Sequence, residues 1–308
     1  LIVDIYLPIA GSCANVPLLV GLGGLVGFLS GLFGVGGGFL LTPLLMMIGI
    51  PATVAAASDA NQIVAASTSG CYAHFREGNV DFKMGTVMLL SGIAGSTLGV
   101  QIIKLLRAMG EATFVITVVY VLMLGSIGSY MFFESLEALR GRKPRLGRRA
   151  PRPSVYRRFV EELPLQVHFS RSKVTLSALV PAFLGLFVGL LAAVMGVGGG
   201  FIMVPVMVYL LRMPMHVVVG TSLFQVLFTC MNVTLLQAYV NHTVDFVLAL
   251  ILLLGSVVGA QIGARAGRRL NADQLKILMS VVVLAVMVKM LLGLLQAPDV
   301  LLAYKGGH

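Results

Sequence analysis

The sequence predicts an all-α polytopic membrane protein made of two inverted-topology repeats of about five segments each, with glycine-broken short or re-entrant helices. Three observations carry this expectation. The 308-residue chain is 58% hydrophobic and only 11% charged, with a mean hydropathy of +0.97, whereas soluble proteins carry about 25% charged residues. The stretch Gly34-Val35-Gly36-Gly37-Gly38-Phe39 recurs letter for letter as Gly196-Val197-Gly198-Gly199-Gly200-Phe201, 162 positions later. Eleven of the 22 Lys/Arg fall between Arg140 and Lys173, in one loop between apolar blocks. That placement marks a cytoplasmic loop and argues against nucleic acid as the partner of the +10 net charge.

Taken in order, residues 1–16 form a short leading segment of undecided form. No basic, cleavable signal precedes the first apolar run, and the start at Leu1 leads one to expect a few further residues before it. Residues 17–133 are the expected first transmembrane repeat. Pro17 to Phe33 is apolar and at the lower limit for spanning. Four glycines in five positions then break the helix, each costing about 1 kcal/mol relative to Ala. Leu40 to Ile50 is long enough only for a half-membrane helix. Pro51 restarts the chain into a helix of small residues that reaches about His74. Arg76, Glu77, Asp81 and Lys83 mark a water-facing turn, followed by spans at Met84 to Leu106 and Ala112 to Phe133.

Residues 134–173 read as a basic cytoplasmic linker whose plain role is topogenic and lipid-contacting; a regulatory or partner-binding role is the alternative. Residues 174–296 repeat the first half: Val174 to Met195, the second glycine break, a short piece from Ile202 to Leu211, a helix after Pro214 to about Val240, then spans at Val244 to Ala264 and Ile277 to Leu295. Residues 297–308 form an external tail. The repeat extends beyond the glycines. Ser58 and Gln62 match Thr221 and Gln225 at an offset of 163, and Val80-Asp81-Phe82 matches Val244-Asp245-Phe246 at 164. An odd number of segments per half requires the second half to enter the membrane oppositely oriented. With the 140–173 loop in the cytoplasm, the turns at Arg76–Lys83 and Arg265–Lys276 fall inside too. The less basic turns and both termini fall outside.

The candidate site follows from the breaks. Backbone N–H groups of Gly36, Gly37, Gly38, Gly198, Gly199 and Gly200, with the helix starts at Phe39 and Phe201, offer positive dipole ends suited to a small anion. Close helix packing is the alternative use of such glycines. Ser58, Asn61 and Gln62 share one helical face at i, i+3 and i+4. Thr221 and Gln225 occupy the matching face, with Thr229 and Asn232 continuing it. Polar groups in membrane helices are costly and face protein or a cavity, so these residues read as site lining or as helix–helix hydrogen-bond glue. Asp59, whose counterpart is Ser222, is the proton-coupling candidate, a capping or vestibule carboxylate being the other reading.

Two copies of the GVGGG(F)…P pattern, one per half, together with Ser58-Asp59-Ala60-Asn61-Gln62, resemble the TauE/SafE sulfite exporter family of membrane permeases over about residues 17–296. The resemblance implies transport of sulfur-containing anions such as sulfite, sulfoacetate and other sulfonates. The expected partners are therefore a small anionic substrate, membrane lipid and a proton gradient, with no cofactor, no metal and no nucleic acid. Three cysteines without paired spacing imply neither a disulfide framework nor a zinc site. An enzyme is not expected, because the five histidines lie at predicted ends, in loops or at the terminus. A passive small-anion channel or a permease for a non-sulfur anion remains the competing reading. Substrate, direction and oligomeric state are left open by the residues.

Overall fold

The computed structural model describes residues 4–33, 38–139, 165–169, 171–172, 174–207, 211, 213–267 and 272–295. Gly36 and Gly37, the arginine-rich stretch 140–164 and the tail 297–308 lie outside the described residues. The first half runs β1 (Asp4–Leu7), β2 (Ser12–Asn15), α1 (Val16–Phe33), α2 (Gly38–Met47), α3 (Ala52–Arg76), α4 (Phe82–Ala108) and α5 (Ala112–Leu139). The second runs β3 (Gln166–Phe169), β4 (Val174–Ser177), α6 (Leu179–Met195), α7 (Gly200–Pro205), α8 (Met215–Leu236), α9 (Phe246–Gly267) and α10 (Ala272–Leu295). A π-turn at Gln237–Asn241 extends α8. Among the described residues, five helices are long and apolar enough to cross a membrane: α4, α5, α8 with its π-turn, α9 and α10. The helix α3 is not among them, since Ser, Thr, Asn and Gln dilute its apolar residues; it needs protein around it.

The halves interleave. The helix α1 packs on α9, α4 on α6, α3 on α8 and α5 on α10, a set that maps onto itself when the halves are exchanged. The directions follow from residue contacts. Gly70 sits against Leu223, while Gly220 sits against Asn79 and His74, so α3 and α8 cross in opposite senses. Gly125 lies against Met287 and Gly128 against Leu284, which makes α5 and α10 antiparallel as well. By contrast α1 and α9 run in the same sense, with Gly23 on Leu252 and Gly27 on Ser256. A Cβ at Gly27 would lie 2.2 Å from the Ser256 carbonyl oxygen, so this seam is a backbone-to-backbone contact that only small residues permit.

Each half opens with a β-hairpin, and the two registers match at a constant offset of 162: Asp4 pairs with Asn15, and Gln166 with Ser177. Leu7 and Phe169, at equivalent positions, are fully buried and pin each hairpin to the helices. The leading segment of undecided form is thus a hairpin. The expected apolar span from Val174 starts instead as a strand, with the helix beginning at Leu179. Four-residue strands carry too few alternations to be told from the start of an apolar helix. The helix α5 overruns its expected end by six residues, from Phe133 to Leu139. The α-helical part of α7 ends at Pro205 and continues as a π-turn at Val206 and Met207; residues 208–210 of the expected piece to Leu211 lie outside the described residues.

Candidate functional site

The starts of the two short helices that follow the glycine breaks come together in the core. Phe39 and Phe201, each the second residue of its short helix, stack with ring centroids 4.3 Å apart and planes 9° apart. Both are 2% exposed. Their backbones are also alike: Pro43 and Pro205 lack the N–H that would reach back to the carbonyls of Phe39 and Phe201. On one side of the stack lies Ile63 of α3. A Cβ at Gly38 would fall 2.2 Å from its Cδ1, and one at Gly198 would fall 3.1 Å from its Cγ2, so this one side chain touches both motifs. The break at residues 196–199 is held in left-handed backbone, with φ of 75° at Gly196, 68° at Gly198 and 77° at Gly199. Its surroundings are close: Ala56 against Gly196, Cys230 and Val226 against Gly198, and Val188 against Gly199.

Two of the carbonyls that the break frees at the end of α6 receive side-chain donors, and a third closes the last helical turn. The Tyr120 hydroxyl donates to the Met195 carbonyl, Gln237 Nε2 donates to Ala193 at 3.3 Å, and the Gly196 N–H donates to Ala192 at 2.8 Å. Gln237 is itself held by Asn241 at 2.6 Å. Neither Tyr120 nor Gln237 was legible as part of the site, since each lies in an apolar run far from the motif.

Both α3 and α8 carry buried polar groups; Asp59 of α3 lies against Gly38 beside the stack, and Gln225 and Thr229 of α8 lie against Gly92 of α4. Ser58, Asp59, Gln62, Gln225 and Thr229 are each at most 5% exposed. Among the described residues no hydrogen-bond partner meets Ser58 Oγ, Asp59 Oδ1, Gln62 Oε1, Thr229 Oγ1 or either amide atom of Gln225. The other oxygen of Asp59 accepts from Thr42 Oγ1 at 2.8 Å, so a residue of the short helix α2 holds the carboxyl in place. Buried polar groups are almost always paired, and each orphan costs about 1–3 kcal/mol. Six such atoms stand on α3 and α8.

The remaining candidates separate by their partners. Thr221 accepts the Asp81 N–H at 3.0 Å, and Ser222 donates to the Val219 carbonyl at 3.0 Å, so both are occupied within the protein. Asn61 is half-buried on the same helix. Asn232 donates to Ser96 at 2.9 Å, the behaviour of interhelical glue.

Asp81, read as part of a water-facing turn, is only 2% exposed, and its repeat partner Asp245 only 1%. Each caps its own helix and grips the hairpin of the opposite half. Asp81 Oδ1 accepts from the Met84 N–H at 3.2 Å, while Oδ2 accepts from the Ser172 N–H at 3.0 Å and hydroxyl at 2.6 Å. Asp245 Oδ1 accepts from the Leu248 N–H at 3.1 Å, and Oδ2 from the Ile9 N–H at 3.3 Å. The two latches are unequal. Asp81 has an extra hydroxyl, and its own N–H is received by Thr221, whereas Ser58, the counterpart of Thr221, is orphaned. Asp81→Ala should therefore destabilise by about 2–3 kcal/mol and Asp245→Ala by about 1 kcal/mol, from the cap and charge-assisted bonds lost. Thermal unfolding of the two variants in detergent checks the order; equal losses would show that the extra bonds contribute nothing.

Comparison with known proteins agrees with this architecture. The sequence profile described as "Sulfite exporter TauE/SafE" matches residues 19–290. The chain is 28% identical over 270 residues to the probable membrane transporter protein YjnA of Bacillus subtilis, covering 87% of this chain and 95% of that one. It is 26% identical to the probable membrane transporter protein YunE of the same organism, covering 70% and 75% of the two chains. A probable membrane transporter protein of Xylella fastidiosa is 30% identical over 67% of this chain and 68% of its own. No solved structure matches. With the profile spanning both glycine breaks and both polar helices, the chain belongs to the sulfite exporter TauE/SafE family of multi-pass membrane proteins.

Proposed function

We propose that the protein is a secondary transporter, not an enzyme, that carries a small sulfur-containing anion such as sulfite, sulfoacetate or another sulfonate across the cytoplasmic membrane. The observation that carries this reading is the set of unpartnered buried polar atoms on α3 and α8, with Asp59 against Gly38 next to the stacked Phe39–Phe201 pair. Substrate oxygens accept from Gln225 Nε2 and from the hydroxyls of Ser58 and Thr229. Backbone N–H groups at Gly38 and Gly198–Gly200 add positive potential. The halves act as an inverted repeat, a reading supported by the opposite senses of α3 against α8 and α5 against α10. The basic 140–173 loop lies on the cytoplasmic side. The unequal latches support a conformation tighter at the Asp81 end than at the Asp245 end, as alternating access requires.

Charge sets the coupling. An anion about 6 Å from an ionised Asp59 would be repelled by about 3 kcal/mol at an effective dielectric near 20. No Lys or Arg lies among the buried polar residues described here to offset this. The anion therefore binds with Asp59 protonated, and anion and proton move together. Proteoliposomes given labelled sulfite or sulfonate test this: wild type should concentrate substrate when a pH gradient is imposed. Asp59→Asn should keep exchange of substrate across the membrane but lose accumulation against its gradient. Equal accumulation by the two proteins would refute the coupling role. Flux that saturates with neither substrate nor gradient would instead identify a passive channel, the reading that the ring stack at the centre disfavours.

A further inference from the structure

At the end of the molecule marked by the α3–α4 turn, a cavity of about 320 Å³ opens beside the tip of the second hairpin. Phe75, Phe82, Lys83, Arg171 and Asp81 are among its lining residues. Neither Lys83 nor Arg171 pairs with a carboxylate among the described residues, and Arg171 Nη1 donates to the Gly78 carbonyl at 3.3 Å. Asp81, the acidic member, has both oxygens engaged by Met84 and Ser172. The cavity therefore keeps an excess of positive charge with open donors.

Its apolar side continues outwards. Phe75 and Phe82 are 54% and 48% exposed. They meet edge to face at 5.8 Å, Phe82 meets Phe224 at 5.6 Å, and Phe224 meets Phe228 at 5.2 Å. Phe224 and Phe228 are one turn apart on α8, so the four rings form a row leading from the cavity along the bundle. A small free anion has no use for such a row, and a cavity of this volume exceeds what it needs. A molecule with an anionic head and an apolar tail uses both.

We propose that this cavity binds the headgroup of an anionic phospholipid, with its phosphate between Lys83 and Arg171 and an acyl chain along Phe82, Phe224 and Phe228. Basic pockets between membrane helices hold lipid headgroups in this way, and the long stem of Lys83 lets its ammonium rise to the phosphate level. The site is separate from the central polar cluster and stands whether or not that cluster carries anions.

The test is native mass spectrometry of the purified full-length protein, titrated with dioleoylphosphatidylglycerol, dioleoylphosphatidylcholine or deacylated glycerophosphoglycerol. Wild type should retain one phosphatidylglycerol in preference to phosphatidylcholine. The Lys83→Ala/Arg171→Ala pair should weaken phosphatidylglycerol about tenfold or more and leave phosphatidylcholine unchanged. Phe82→Ala should weaken it without altering the headgroup preference. Equal retention of the two lipids, or a charge variant that binds as wild type, overturns the proposal. Competition by the deacylated headgroup as strong as by the whole lipid shows a small-anion site instead. A lipid-free dimer that shields the phenylalanine row assigns the face to a second copy and equally overturns it. Should the double variant not purify, Lys83→Gln and the three wild-type titrations decide the matter.

Discussion

Gln225→Leu should raise the stability of the protein while stopping transport. Both amide atoms of Gln225 are buried without a partner, and the residue is fully inaccessible. Burying an unpaired polar atom costs about 1–3 kcal/mol, so an apolar side chain of similar size removes that cost and stabilises the fold by an amount in this range. The same change removes a donor that an anion would use. A hydrogen bond to a charged group contributes about 1.5–3 kcal/mol, which corresponds to a loss of roughly ten- to hundredfold in transport at low substrate. Gln62→Leu should follow the same pattern more weakly, since only its Oε1 is orphaned. The chain has no Trp, so unfolding is followed by circular dichroism and transport by labelled substrate in proteoliposomes. A variant that loses stability, or that transports as wild type, would show that Gln225 serves packing alone.

Gly196→Ala should be the most damaging single methyl group among the described glycines. Gly196 sits at φ 75°, where a side chain costs about 1–2 kcal/mol. Its Cβ would also fall 2.1 Å from the Ala56 carbonyl oxygen and 2.5 Å from the Ala56 Cα, backbone atoms of α3 that no rotamer change can move. Adding overpacking of about 1–3 kcal/mol gives a loss of about 3 kcal/mol or more. The matched control is Gly21→Ala, a helical position with nothing within 4 Å, which should be neutral or slightly stabilising. Yield of folded protein and thermal midpoint distinguish the two. A Gly196→Ala protein as stable as Gly21→Ala would mean that the break can shift away from α3. Gly199→Ala is a poorer probe of anion binding than its place in the motif implies, because its Cβ would meet Val188 Cγ1 at 2.1 Å. Loss of function there reports packing and binding together, whereas Gln225 reports binding against a gain in stability.

Much of the site could be read from residue order because helical spacing and membrane cost act locally. Ser58, Asn61 and Gln62 had to share a face, and polar residues on one face of a membrane helix had to meet protein. What residue order could not do was separate lining from glue. Gln225 and Asn232 lie two turns apart on one helix and look alike as sequence, yet Asn232 is bonded to Ser96 and Gln225 to nothing described. That difference depends on which residue of α4 stands opposite, a matter of helix packing. Thr42 and Tyr120 were missed for the same reason: a hydroxyl in an apolar run reveals its role only when its partner is placed beside it.

Composition, the duplicated glycine break and the spread of basic residues determined by themselves a helical membrane protein of two related halves, since hydropathy and backbone propensity are properties of short stretches. The tertiary structure alone decided how the halves meet. It put Phe39 on Phe201, tied Asp81 and Asp245 to hairpins of opposite halves, and left six buried polar atoms of α3 and α8 without partners among the described residues. The offsets of 162 to 164 show that two stretches are alike, but not that they touch. Contact between residues so far apart in the chain is set by the packing of whole helices, small residues at the seams allowing α1 onto α9 and α4 onto α6.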